Sequence, residues 1–199
     1  KYIPVTSFVW TLNFKNNSHI FRSSVSSENS KFFSNTYLNA SKTIDETSYW
    51  SLSNTFGISL LEGFHRYAKA GLSAFITHQI RKYNQMSDSI VPGIDGADKL
   101  TPFPFDMNTI PSNKKENLVW VGGQLTKQRG DLFRYNVTAK FGVLGDVIGD
   151  IEIKGDVTTR FRLFSDTVEI TGYGWLKNEE APYLMKQYVS NHFIWNNDF

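Results

Sequence analysis

Along much of the chain apolar and polar residues alternate with a period of two, the pattern of a β-strand with one dry and one wet face. From 150 to 163 the odd positions are Ile151, Ile153, Gly155, Val157, Thr159, Phe161 and Leu163. The even positions are Asp150, Glu152, Lys154, Asp156, Thr158, Arg160 and Arg162. From 133 to 143, Phe133, Tyr135, Val137, Ala139, Phe141 and Val143 oppose Arg134, Asn136, Thr138, Lys140 and Gly142. The run 50–61 sets Trp50, Leu52, Phe56, Ile58 and Leu60 against Ser51, Ser53, Thr55, Gly57 and Ser59. The run 64–83 sets Ala68, Ala70, Leu72, Ala74, Ile76 and Ile80 against Lys69, Ser73, Thr77, Gln79 and Arg81. Phe8, Trp10, Leu12 and Phe14 alternate near the start. The run 167–177 is weaker, with Val168, Ile170 and Leu176 on one face. In 118–127, Val119, Val121 and Leu125 compete with Leu118 and Trp120, which leaves that strand unoriented. A last run, 191–199, places Phe193, Trp195 and Phe199 together.

Two kinds of connection take turns between these runs. Glu62-Gly63, residues 128–131 and Phe164-Ser165-Asp166 read as tight turns. Segments near 16–47, 84–116 and 178–190 are long and polar, and 144–149 is a short exception among them. The first could hold a hairpin of its own, with Ile20-Phe21 and Phe32-Phe33 as its strands. In an up-and-down meander alternate connections lie at opposite ends of the sheet. Short turns at one end and long loops at the other is the habit of an outer-membrane barrel. Strand length points the same way. A 14-residue strand rises about 46 Å and at ~40° tilt still crosses a ~25 Å apolar band. The aromatics Phe133, Tyr135, Phe161 and Trp50 fall near strand ends, where interfacial girdles stand. The expected fold is all-β: an antiparallel up-and-down meander of about eight long strands, a single portion (1–199) of a transmembrane β-barrel. On that reading Lys69, Arg81, Arg134, Lys140, Asp150, Glu152, Lys154, Asp156, Arg160 and Arg162 face the lumen. Trp50, Phe56, Ile58, Leu72, Val137, Phe141, Ile153, Val157 and Phe161 face lipid. Opposite charges on neighbouring strands are expected to pair within the lumen.

Composition narrows the chemistry. Lys and Arg number 21 against 19 Asp and Glu, so no basic excess invites nucleic acid. Cysteine is absent, which removes disulfides, thiolate metal sites and Cys nucleophiles. No stretch is apolar enough for a membrane helix. The four His residues (19, 65, 78 and 192) keep no metal-binding spacing, and His78 reads as an interfacial side chain near a long loop. Glu179-Glu180 read as a solvated cluster. The turn 94–99 (Ile94-Asp95-Gly96-Ala97-Asp98-Lys99) lacks the EF-hand pattern, and Val121-Gly122-Gly123-Gln124 precedes no helix. Asp150 and Glu152 share a face, but Lys154 and Arg160 share it too, which suits a structural charge ladder. No catalytic residue, metal site or cofactor is expected.

The segment Ser48-Tyr49-Trp50-Ser51-Leu52-Ser53-Asn54-Thr55-Phe56-Gly57-Ile58-Ser59-Leu60-Leu61-Glu62-Gly63-Phe64, continuing into Tyr67-Ala68-Lys69-Ala70-Gly71-Leu72, resembles the putative porins of Bacteroidetes outer membranes. Tyr2-Ile3-Pro4-Val5-Thr6-Ser7-Phe8 and Ser190-Asn191-His192-Phe193 fit the same family. The resemblance implies a Gram-negative outer-membrane location with a signal peptide upstream. It also implies that this is an internal portion of a longer barrel, with Phe199 expected to be a truncation point; the alternative is a closed eight-stranded barrel in which the strand near Tyr2 pairs with the one ending at Phe199. The expected partners are outer-membrane lipid and small polar solutes passing by diffusion. One rival is a fragment of a plug-gated active transporter. The other is a soluble β-domain that binds a partner through 16–47 and 84–116.

Overall fold

The computed structural model describes residues 6–24, 32–40, 42–63, 69–86, 100–106, 111–130 and 132–197. Seven long strands follow one another: β1 (Thr6–Ser23), β2 (Thr43–Leu60), β3 (Gly71–Met86), β4 (Asn113–Lys127), β5 (Phe133–Leu144), β6 (Ile151–Leu163) and β7 (Asp166–Asn178). They form one antiparallel sheet in chain order, the up-and-down meander that the alternation predicts. A single helical turn, α1 (Tyr183–Lys186), leads into β8 (Gln187–Val189), which pairs antiparallel with β9 (Ile194–Asn196). The final apolar run thus contributes three residues to a separate two-stranded sheet and no long strand.

Several strands outlast their alternation. β1 runs to Ser23 and β2 begins at Thr43, so only the middle of the 16–47 segment connects them. Ile20 and Phe21 belong to β1, whereas Phe32 and Phe33 lie outside any strand. Phe21 and Phe33 meet edge to face at 6.3 Å. These strand ends carry scattered apolar residues with no clean alternation, so the backbone ladder persists where the two-sided pattern has stopped. β3, conversely, begins at Gly71, leaving Lys69 and Ala70 in the connection. Residues 64–68, the turn 94–99, Tyr2 to Val5 and Phe199 lie outside the described residues.

The β6–β7 turn is made by Phe164 (φ 49) and Ser165 (φ 76), both left-handed, as a two-residue hairpin turn of type I′ requires. It fixes the register: Leu163 opposes Asp166 and, counting back equally, Arg160 opposes Glu169.

The chain divides into two compact units. The first comprises Lys1–Asn13, Leu52–Ile80 and Glu116–Glu180. Its buried apolar cluster is Leu118, Trp120 and Val147. The 145–150 loop folds back so that Val147 covers the first two. A Cβ on Gly142 would collide with the Val147 backbone, so only glycine admits the fold-back. Gly142 donates to Asp150 O at 2.9 Å and accepts from Gly149 N at 3.2 Å, which satisfies backbone groups where β5 leaves regular pairing. A bulge between Val119 and Trp120 accompanies it.

The second unit comprises Phe14–Ser51, Arg81–Lys115 and Ala181–Phe199. It is organised by a polar side chain. Asn191, fully buried, accepts on Oδ1 from Leu38 N (2.9 Å) and Asn39 N (2.8 Å). Its Nδ2 donates to Asn39 O and Thr43 Oγ1, each at 2.9 Å. Its backbone N–H donates to Asp45 Oδ1 at 2.8 Å. His192 bridges Thr43 Oγ1 and Asn35 O, both at 2.8 Å, and stacks on Phe33 with centroids 3.9 Å apart. Tyr183 donates to Pro111 O at 2.8 Å and accepts from Gln85 Nε2 at 3.1 Å.

Candidate functional site

Within the first unit the register assigns faces strand by strand. Val121 opposes Phe141, Leu125 opposes Val137, Ala139 opposes Ile153 and Tyr135 opposes Val157. Ile153 in turn opposes Leu176, and Phe161 opposes Val168. These positions make one continuous apolar face. The other face carries Gln124 opposite Thr138, Asn136 opposite Asp156, Lys140 opposite Glu152 and Arg160 opposite Glu169. The strand that the sequence leaves unoriented is thereby settled: Val121 and Leu125 lie on the apolar face, Trp120 on the polar one.

In β3 and β5 burial is inverted relative to a water-soluble sheet. In β3 the apolar Leu72, Ala74 and Ile76 are exposed, whereas Ser73, Phe75 and Thr77 behind them are partly covered. In β5, Val137, Ala139 and Phe141 are exposed while Thr138 and Lys140 are half-buried. Phe8 (70%) and Trp10 (68%) of β1 stand open. Phe56, Ile58, Ile153, Val157 and Phe161 are also exposed, and Trp50, in the second unit, is half-buried against Phe14 at 6.4 Å. Apolar exposure on this scale marks an interaction surface.

The polar face is a lattice of cross-strand hydrogen bonds and ion pairs. Lys140 Nζ meets Glu152 Oε2 at 2.7 Å and lies 4.3 Å above the Trp120 ring. Lys154 approaches the other oxygen of Glu152 at 3.9 Å. Arg160 donates Nε to Glu169 Oε2 at 2.9 Å and adds a contact from Nη2, while Arg134 Nη2 reaches the same oxygen at 3.2 Å. Gln124 Nε2 donates to Asn136 Oδ1 at 2.6 Å, and Asn136 Nδ2 to Asp156 Oδ1 at 3.4 Å. Hydroxyl pairs continue the lattice: Thr55 with Thr77 (2.8 Å), Ser59 with Ser73 (2.7 Å) and Thr158 with Thr171 (3.0 Å). Exposed ion pairs stabilise little, about 0–1 kcal/mol each. Their effect is to hold long side chains against the wall. Phe75 lies over Gly122 on this face, in space that a Cβ at 122 would fill.

The sequence-derived charged set is partly assembled here. Arg134, Lys140, Glu152, Lys154, Asp156 and Arg160 share the lattice, and Arg162 stands opposite Thr167. Asp150 lies just before β6, is buried, and accepts from Glu180 N at 3.0 Å, so it is separated in role from Glu152. Lys69 precedes β3, and Arg81 belongs to the second unit. Glu179 pairs with Lys177 at 2.6 Å. Glu169 was missed; equal counting from a two-residue turn at 164–165 would have found it. Tyr173 and Trp175, also on the polar face, were missed because the weak 167–177 alternation was read from its aliphatic residues alone.

At the short-turn end Glu62 Oε2 accepts from Gln128 N and Arg129 N, both at 2.9 Å. Desolvation raises its pKa, but those two amides and the Arg129 and Lys127 charges together outweigh it and hold the carboxyl below the ordinary glutamate range.

Among the described residues no group of three or more His, Asp or Glu could hold a metal ion, and no helix is long and apolar enough to cross a membrane. A family model described as "Putative porin" matches residues 1–199. The chain matches no curated protein and no solved structure.

Proposed function

The chain belongs to the family described as putative porins, and from that premise we propose that it walls a water-filled path for passive diffusion of small polar solutes across a Gram-negative outer membrane. The apolar face meets lipid and the ion-paired face meets the lumen. The observation that carries this reading is the inverted burial of β3 and β5, with Leu72, Ile76, Val137 and Phe141 open and the polar neighbours beside them partly covered. A soluble domain would expose the opposite face. The shortest long strand, β5 with 12 residues, rises about 40 Å and spans a ~25 Å apolar band when tilted.

The sheet order gives β1 and β7 one neighbour each. In hydrocarbon an open edge leaves backbone groups unpaired at several kcal/mol apiece. The reading therefore requires further strands beside both edges, from the same polypeptide beyond these residues or from another copy. The pore acts by exclusion and by the mixed charges of its wall, and no bond is made or broken. Swelling of liposomes containing the full-length chain tests it. Small sugars and amino acids should enter at rates that fall with solute size. Liposomes that stay osmotically tight to all of them would contradict the proposal.

A further inference from the structure

Two aromatic side chains stand on the polar face of β7, among charged residues of β6. Tyr173 is 81% exposed and Trp175 75% exposed. They sit two residues apart on β7, so their Cα atoms are about 6.8 Å apart on one side of the strand. Across the ladder Tyr173 opposes Asp156 and Trp175 opposes Lys154. Together with Glu152 and Lys177 these residues line an open groove of about 460 Å³, within the ~300–1,000 Å³ typical of small-molecule sites.

We propose that Tyr173 and Trp175 form a stacking site for the ring face of a neutral carbohydrate. This names a solute class for the path inferred above and rests on that reading. An aromatic face carries partial negative charge, and the axial C–H groups of a pyranose present a complementary, weakly positive surface. The groove's charged groups balance. Glu152 and Asp156 accept hydrogen bonds, Lys154 and Lys177 donate them, and the formal charges cancel. A charged solute meets as much repulsion as attraction there. A neutral polyol uses both kinds of group through hydroxyls that donate and accept. A cation caged by the rings would meet Lys154 and Lys177 as well as Glu152 and Asp156, so charge gives it no net advantage there. A planar aromatic solute would stack as well, but carries few groups that can hydrogen-bond to the polar rim of the groove.

Calorimetric titration of the full-length chain in detergent tests the site without requiring transport. Maltotriose should bind, and sorbitol, which has hydroxyls but no ring face, should not. Trp175→Ala and Tyr173→Ala should each weaken maltotriose binding about tenfold or more, while Trp175→Phe should keep most of it. Both aromatics are exposed, so these variants should retain wild-type circular dichroism; should one misfold, the other carries the same expectation. The proposal is overturned if maltotriose fails to bind, if sorbitol binds equally, or if both alanine variants bind like wild type. A chain that binds maltotriose but leaves liposomes tight contradicts the pore and upholds the site. One that swells liposomes without binding does the reverse.

Discussion

Glu62 joins two neighbouring turns through one oxygen, which accepts the amides of Gln128 and Arg129. Its folded pKa lies below the ordinary glutamate range. The sign follows directly: the contribution is complete above that range and is lost as pH falls through the lowered folded value. The Gln128 and Arg129 amide shifts should therefore titrate below an ordinary glutamate, and Glu62→Gln should abolish that titration. A midpoint within or above the ordinary range would show that the clasp does not form. On the sheet itself a single substitution distinguishes the faces. Ile153→Arg or Val157→Arg should cost about 2–4 kcal/mol near the bilayer midplane. Thr171→Arg places the same group beside Glu169 and Tyr173 on the polar face. It should cost far less, well under 1 kcal/mol beyond the lost Thr158 bond. Equal costs in a reversible folding titration would refute the two-face reading.

Among the elements, β5 and β6 were the most legible. Their alternation sets mostly apolar odd positions against polar and charged even ones; register follows it in both strands, and burial follows it in the middle of β5. β4 resisted because Leu118 and Trp120 are apolar on the polar side. The physical reason is distant in sequence: the 145–150 loop returns and puts Val147 over them, with Gly142 making room. Period-two reasoning has no term for a loop that folds onto its own sheet. It likewise misread 191–199. There Asn191 is spent on buried hydrogen bonds that tie residues 37–45 together and Ser190 on a turn with Phe193, leaving three residues for β9. Alternation gives no sign that Asn191 is a buried hub. Asn191→Ala would orphan the buried Leu38 and Asn39 amides at roughly 1–3 kcal/mol each. The expected result is early proteolytic cleavage within 32–42 of the variant, under conditions where wild type stays intact. Unchanged cleavage would mean those amides have other acceptors.

At the scale of the whole molecule, the six buried apolar residues among those described are too few for the interior of a water-soluble sheet of this length. The apolar surface is instead on the outside of the lattice, as a lipid-embedded wall requires. Composition could not reveal this, since a balanced charge count and a mean hydropathy of −0.33 suit a soluble sandwich equally well. Strand length and the spacing of long and short connections suggested it, and register and exposure gave it residues. These 199 residues contain no cysteine, so a single cysteine introduced along β6 is the only one among them. In proteoliposomes of the full-length chain, a membrane-impermeant maleimide should label Lys154→Cys, Asp156→Cys and Thr158→Cys. It should leave Ile153→Cys and Val157→Cys unmodified until detergent is added. Labelling that ignores the period of two would contradict a wall with one face in water and one in lipid.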